Sequence, residues 1–411
     1  MLNVIVTKTR EEGFGTAWPC GTPAPDASNL NFSAGQTIPN LVIARIGSGG
    51  QVCLKASAPA DLIADLAGHF PAGSDFTPLA VPTRVLDTRA GNPTFAVPAD
   101  GVIELQVSGT PGVPADASAV AANVTVTNPA EAGFITVWPC DAPRPDASNL
   151  NYTAGETIPN LVISAVAGNG TVCLYSSVAT DLIADVAGFF DADSGYLPLV
   201  PARLLDTRGV GVLADSTAQL PVAGRGGVPA DAAAVVLNAT AVNAQEPGFV
   251  TAFPCGTPVP EASNLNYTAG QTIPNLVIVR VGTGGAVCLD SSGAADLLAD
   301  VAGSFPLGSG FLPAAVPVRL LDTRQIPVPT TVEIVIAGFE FSGPRTVSVG
   351  TTVIVRNTDD AQHTWTSVDG AFDSGTIAGG ETFSVTLDEP GEYDYVCNIH
   401  PSMTGTIVVT E

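Results

Sequence analysis

The stretch "GFITVWPCDAPRPDASNLNYTAGETIPNLVI" (133–163) occurs three times with small changes. It stands at 13–43 as "GFGTAWPCGTPAPDASNLNFSAGQTIPNLVI" and at 248–278 as "GFVTAFPCGTPVPEASNLNYTAGQTIPNLVI". Each copy runs on into a "VCL" segment and then a "DLIADLAG"-like segment. A further element, "RVLDTR" or "RLLDTR", recurs at 84–89, 203–208 and 319–324. The period of 115–120 residues is domain-sized, which predicts a tandem array of domains. Within a copy, "ANVTVTN" (122–128) alternates apolar and polar residues, and "NLVISAV" (160–166) and "TDLIADVAGFF" (180–190) are rich in strand formers. Gly, Pro and Asn punctuate these runs, so each copy reads as a β-sandwich of short strands.

Six of the seven cysteines follow the repeat. Cys20/Cys53, Cys140/Cys173 and Cys255/Cys288 are each 33 residues apart, and one disulfide per repeat is the economical reading. Disulfides place a chain in an oxidising compartment. A loop of that size, once closed, stabilises by about 3 kcal/mol. Cys397 is left over.

Two polar features recur within the repeats. Ser148, Asn149, Asn151 and Asn160 of "SNLN…TIPN" are of a type that closes turns and satisfies buried backbone, and also of a type that binds glycans. Asp206 and Arg208 of "LDTR", with Asp181 and Asp185 of "DLIADV", read as an Asp–Arg pair that holds strand register, calcium or another ligand being the alternative. The structural reading is preferred for both. Domain boundaries are expected at 1–78, 79–195 and 196–324, with a linker at 325–330 and a last domain at 331–411. The first repeat starts in mid-pattern at "LNVIVT" and the array ends on an LDTR element. Either a first LDTR strand and a signal peptide are missing, or the folding unit runs from the "NVTVT" strand to the LDTR strand. "MLNVIVTKTR" has no basic region followed by an apolar core, which favours an incomplete or mis-started chain.

The composition excludes whole classes of function. The formal charge is −24, and a chain this acidic repels phosphate backbones, so no nucleic-acid partner is expected. The longest apolar runs are strand-sized, so no membrane span is expected. Residues 325–411 carry 12 acids and two arginines, an imbalance that serves solubility and that would steer a basic partner.

After Arg324 the repeat stops, and a different strand pattern begins with "TVEIVIAGFEF" and "TTVIVRN". This region ends in "DYVCNIHPSMTG" (394–405), which holds Cys397, His400 and Met403 at three-residue intervals. The chain has only three histidines and two methionines, one of them Met1. His363 lies in the same region. A thiolate, two imidazoles and a weak thioether form the ligand set of a type 1 copper site, because soft sulfur donors suit Cu(I) and imidazoles suit both oxidation states. Zinc takes Cys and His but seldom a thioether. Three donors at this spacing can share one tight loop, with His363 arriving from another. Only His69 remains elsewhere, so the ligands of a second, substrate-reducing copper centre are missing and one-electron transfer, not catalysis, is expected.

Residues 331–411 resemble the small cupredoxins of the amicyanin, plastocyanin and pseudoazurin type, through "FEFSGPRTVSVGTTVIVRNTD", "HTWTS" and "FDSGTIAGGETFSVTLDEPGEYDYVCNIHPSMTGTIVV". The resemblance implies a Greek-key β-sandwich with one copper held by His363, Cys397 and His400, with Met403 axial. It also implies that Asn357 ties the two ligand loops together, and that His400 reaches the surface beside Ile399 and Pro401, where a redox partner protein approaches. Gln362 departs from the pattern, since plastocyanins often have Pro there. Residues 1–324 resemble LDTR-containing β repeats of secreted bacterial proteins, which implies a secreted, cell-surface or periplasmic location and no defined activity. The expectation is an all-β extracellular type 1 copper protein that transfers electrons on a repeat scaffold. The alternative is a structural or adhesive surface protein, with glycan or cell-surface contacts through the repeats, whose last domain binds or delivers copper.

Overall fold

A computed structural model describes residues 1–25, 27–89, 96–210, 214–325 and 331–410. Apart from Gln325, the expected linker at 325–330 lies outside the described residues. The chain is all-β, and no α-helix occurs among the described residues. It divides into two compact units, Met1–Asp322 and Thr323–Glu411.

In the first unit each repeat builds two sheets. In the second repeat one sheet has the order Ile158–Ala165, Ala119–Thr127, Asp181–Phe190, Phe76–Asp87. The other has the order Leu150–Tyr152, Gly133–Pro139, Thr171–Ser176, Gly101–Gln106. Val124, Val162 and Val186 of the first join Val137, Val172 and Leu174 of the second in one buried core, as the period-2 pattern requires. The disulfides Cys20–Cys53, Cys140–Cys173 and Cys255–Cys288 are formed. Each joins the strand that ends in "WPC" or "FPC" to its "VCL" neighbour.

The LDTR strands are where the pairing departs from separate beads. Phe76–Asp87 pairs with Asp181–Phe190 of the second repeat, and Leu197–Asp206 pairs with Asp296–Pro306 of the third. Leu312–Asp322 pairs with Asp61–His69 of the first repeat. The place assigned above to a missing first LDTR strand is thus occupied by the third one. The divisions at 78/79 and 195/196 fall inside one compact unit, because each LDTR strand belongs to its neighbour's sheet. The glycine of each "DLIADLAG"-like strand marks the crossing. A Cβ on Gly68, Gly188 or Gly303 would collide with the ring of Phe311, Phe76 or Tyr196, respectively, on the incoming strand.

Two circuits close this ring. Six aromatic rings follow one another around it. The centroid distances are 5.1 Å for Phe70–Phe76, 5.0 Å for Phe76–Phe190 and 4.3 Å for Phe190–Tyr196. Tyr196–Phe305, Phe305–Phe311 and Phe311–Phe70 follow at 5.0, 4.6 and 5.1 Å. Beside them runs a polar circuit of six buried asparagines. Asn40 Nδ2 donates to Asn123 Oδ1 at 2.9 Å, Asn160 to Asn238 at 3.1 Å, and Asn275 to Asn3 at 2.9 Å. The three acceptor oxygens Asn40 Oδ1, Asn160 Oδ1 and Asn275 Oδ1 take the amides of Leu161, Leu276 and Leu41. The "TIPN" asparagine therefore satisfies buried backbone of the next repeat, which is the structural reading of that motif.

The Asp–Arg pairing is present with different partners from those expected. Asp185 is bound through two oxygens by Arg84, at 2.9 and 3.0 Å. Arg84 is the arginine that precedes the LDT. Arg203–Asp300 and Arg319–Asp65 repeat the arrangement across the other two junctions. Arg208 instead turns back on Asp206 within its own strand end, and Asp181 accepts from Thr88 and Asn128.

The second unit has two four-stranded sheets. One runs Glu340–Ser342, Thr331–Ala337, Thr351–Asn357, Thr382–Leu387; the other runs Thr346–Ser348, Thr404–Thr410, Gly391–Val396, Thr366–Ser367. Ile334, Ile336, Val353, Val355, Trp365 and Ile407 fill the core between them.

Candidate metal centre

Strand periodicity delivers the site. In Thr351–Asn357 the buried phase runs through Val353 and Val355 to Asn357. The chain then turns, and His363 makes an antiparallel bridge to Ile377, with amides donating both ways at 3.1 and 2.8 Å. In the adjoining sheet the inward phase of Gly391–Val396 passes through Tyr395 to Cys397. The Cys397 amide donates to Met403 O and the Met403 amide to His400 O, so the Cys-His-Met segment closes as a tight loop between two neighbouring strands.

His363 and Cys397 are fully buried and His400 is half-buried. Their ligand atoms lie within 4.8 Å of one another. Cys397 Sγ is 3.8 Å from His363 Nδ1 and 3.7 Å from His400 Nδ1, and the two Nδ1 atoms are 3.1 Å apart. Met403 is buried in the same apolar cluster as Cys397. Cys397 is the one free cysteine among the described residues. A thiol and two imidazole nitrogens turned toward a common point fit a soft or borderline cation.

The surroundings hold these donors in place. The Thr364 amide donates to Cys397 Sγ at 3.3 Å and fixes the position of the sulfur. Asp359 Oδ2 lies 3.1 Å from His363 Nε2 and fixes the ring so that Nδ1 faces the thiol. The same carboxylate accepts the amides of Phe339 and Gly338, which together with His363 hold it below the usual carboxylate range. Those bonds also secure Phe339 at φ 62°, a left-handed conformation unfavourable for an aromatic residue. From there Phe339 meets both imidazoles edge-on, at 5.2 Å for His363 and 4.8 Å for His400.

Asn357 corrects one expectation. Its Nδ2 donates to Ala361 O and Ile377 O, and its Oδ1 accepts the Asp359 amide, so all its bonds stay on the His363 side. The bridge between the two ligand loops is Thr364, whose amide reaches Cys397 and whose hydroxyl accepts the Asn398 amide at 2.8 Å. Asn357 ties its own turn to the segment at Ile377, whereas Thr364 follows His363 directly and opposes the Cys397 loop. Thr364, Asp359 and Phe339 were not singled out in the sequence. "DD" four residues before His363 was the one available signal.

A soft-donor site between the two sheets of a small β-sandwich defines the class of the second unit. Residues 319–409 match the family model described as a cupredoxin-like domain, so the C-terminal part of the chain carries a domain of that family. Among curated proteins, amicyanin-alpha of Methylorubrum extorquens is 29% identical over 102 residues, covering 23% of this chain and 86% of that protein. Among solved structures, a Cu(I) amicyanin variant is 26% identical with a TM-score of 0.19, over 20% of this chain and 95% of that one. A purple cupredoxin from Nitrosopumilus maritimus is 30% identical with a TM-score of 0.18, over 19% of this chain and 98% of that one. No helix among the described residues is long and apolar enough to cross a membrane.

Proposed function

We propose that Thr323–Glu411 is a one-electron carrier that binds a single copper through His363, Cys397 and His400, with Met403 as the weak fourth ligand. The observation that supports this most directly is the convergence of a buried thiol and two imidazole nitrogens within 4.8 Å. Copper bound there supplies the Cu(I)/Cu(II) couple. The protein's part is to keep the donors still. Asp359 fixes the His363 ring, the Thr364 amide holds Cys397 Sγ, and the closed Cys397–Met403 loop holds three donors in one segment. A site held this firmly need not rearrange when its charge changes.

His400 is the donor nearest to solvent. Phe339 packs on its edge, and Phe339 and Ile399 are 50% and 44% exposed. With exposed Pro401 they offer an apolar patch through which a redox partner protein can approach. The acids of this unit would steer a partner with a basic face. The three disulfides support a location outside the cytoplasm, secreted, on the cell surface or in the periplasm. There the first unit would serve as a scaffold.

Adding Cu(II) to purified protein and recording visible absorption, metal stoichiometry and reduction by ascorbate tests this reading. The expected result is one copper per chain, an intense thiolate band and reversible bleaching. A colourless complex would overturn it. A coloured complex that no donor reduces would favour the copper-delivery alternative.

A further inference from the structure

The three repeats differ in one respect. In the second repeat the "VCL" strand Thr171–Ser176 is flanked on its outer edge by Gly101–Gln106. In the third, Ala286–Ser291 is flanked by Ser216–Pro221. In both cases the flanking strand follows an LDTR strand in the chain. The first repeat has the sheet order Leu30–Phe32, Gly13–Pro19, Val52–Ala56, and among the described residues no strand lies beyond Val52–Ala56. The strand that follows the third LDTR strand, Thr331–Ala337, pairs instead with Glu340–Ser342 and Thr351–Asn357 in the second unit.

Side-chain burial records the same gap. Val172, Leu174, Val287 and Leu289 are all at most 3% exposed, whereas their counterparts Val52 and Leu54 are only partly buried. Unpaired backbone amides and carbonyls along such an edge are a template for another strand.

We infer that Val52–Ala56 is an acceptor edge for an extended polypeptide segment, which adds antiparallel as the fourth strand of this sheet. The two occupied edges specify its side chains. Leu105 and Leu220 stand opposite Val172 and Val287, so an apolar residue belongs opposite Val52. Ile103 and Ala218 stand opposite Leu174 and Leu289, so a second belongs opposite Leu54. Glu104 and Gln219 stand opposite Cys173 and Cys288, so a polar residue belongs opposite Cys53. The next position departs from the other repeats. Tyr175 faces Val102, and Asp290 accepts from Thr217 Oγ1, but this edge presents exposed Lys55. The matching partner residue is acidic.

The test uses full-length protein and a fluorescent peptide of residues 100–107, DGVIELQV, read by anisotropy. Saturable binding at one peptide per chain is expected. A peptide carrying V102E should bind about threefold tighter, through its pairing with Lys55. Protein K55E should reverse that preference, and a peptide carrying I103P should not bind. No saturable binding of either peptide would overturn the inference. Binding indifferent to K55E would also overturn it, since it would mean that the peptide displaces Gly101–Gln106 from its own edge. A protein that sediments as a dimer and takes no peptide would assign the edge to a second copy instead and would equally overturn it.

Discussion

The two units each bury a cluster of polar side chains, and the clusters behave in opposite ways. In the ring, six asparagines satisfy one another and the backbone of the next repeat. In the second unit the thiol and imidazole nitrogens turn toward each other at 3.1–3.8 Å. A buried polar group must find a partner, and a cluster that finds all its partners within the chain is architecture. A cluster that brings electron-pair donors together on one point has its natural partner in a cation.

Four substitutions would break or sharpen this contrast. The largest effect is expected from Cys397→Ser, which should abolish the thiolate band and strong copper binding. Calorimetry should show the ring's unfolding transition unchanged. Asn160→Ala should do the reverse. It strands Asn238 Oδ1, Asn149 O and the Leu276 amide, at a cost of about 3 kcal/mol in denaturant unfolding of the ring. The copper spectrum should not move.

Asp359→Ala tests the support of the site and not its donors. Loss of the carboxylate beside His363 Nε2 should weaken copper binding roughly 10- to 100-fold in a chelator competition, with the thiolate band retained. The smallest effect concerns the LDTR end. The Arg208 guanidinium holds the Asp206 carboxyl at about 2, below its unfolded value, so its contribution is present above the ordinary carboxylate range and is lost as pH falls through about 2. Both groups are partly exposed, which limits the effect to under about 1 kcal/mol. Arg208→Ala should flatten the fall in ring stability between about pH 4 and pH 2, measured by urea midpoints.

Legibility in the sequence followed the range of the interaction. The cysteine pairs could be read because the 33-residue spacing recurs three times. The Cys397–His400–Met403 segment could be read because three scarce residue types share one short loop. Asp185 was read correctly as half of an ion pair, but with the wrong arginine. Arg208 is near it in the repeat pattern, whereas Arg84 arrives on a strand from the preceding repeat. The resemblance gives Asn357 to both ligand loops, yet its side chain bonds only Asp359, Ala361 and Ile377, all on the His363 side. Thr364, an ordinary residue in an ordinary position, carries the bonds between the loops.

Strand periodicity, the disulfide pairs and the short segment that carries Cys397, His400 and Met403 were therefore legible in the sequence alone, because each depends on residue type and short spacing. Closure of the ring was decided only in three dimensions. Asn275 meets Asn3 from 272 positions away, and Arg319 meets Asp65 from 254. Nothing local distinguishes those partners from their equivalents in the other repeats. Three near-identical copies present near-identical edges, and which edge receives which strand is settled by the packing of the whole ring.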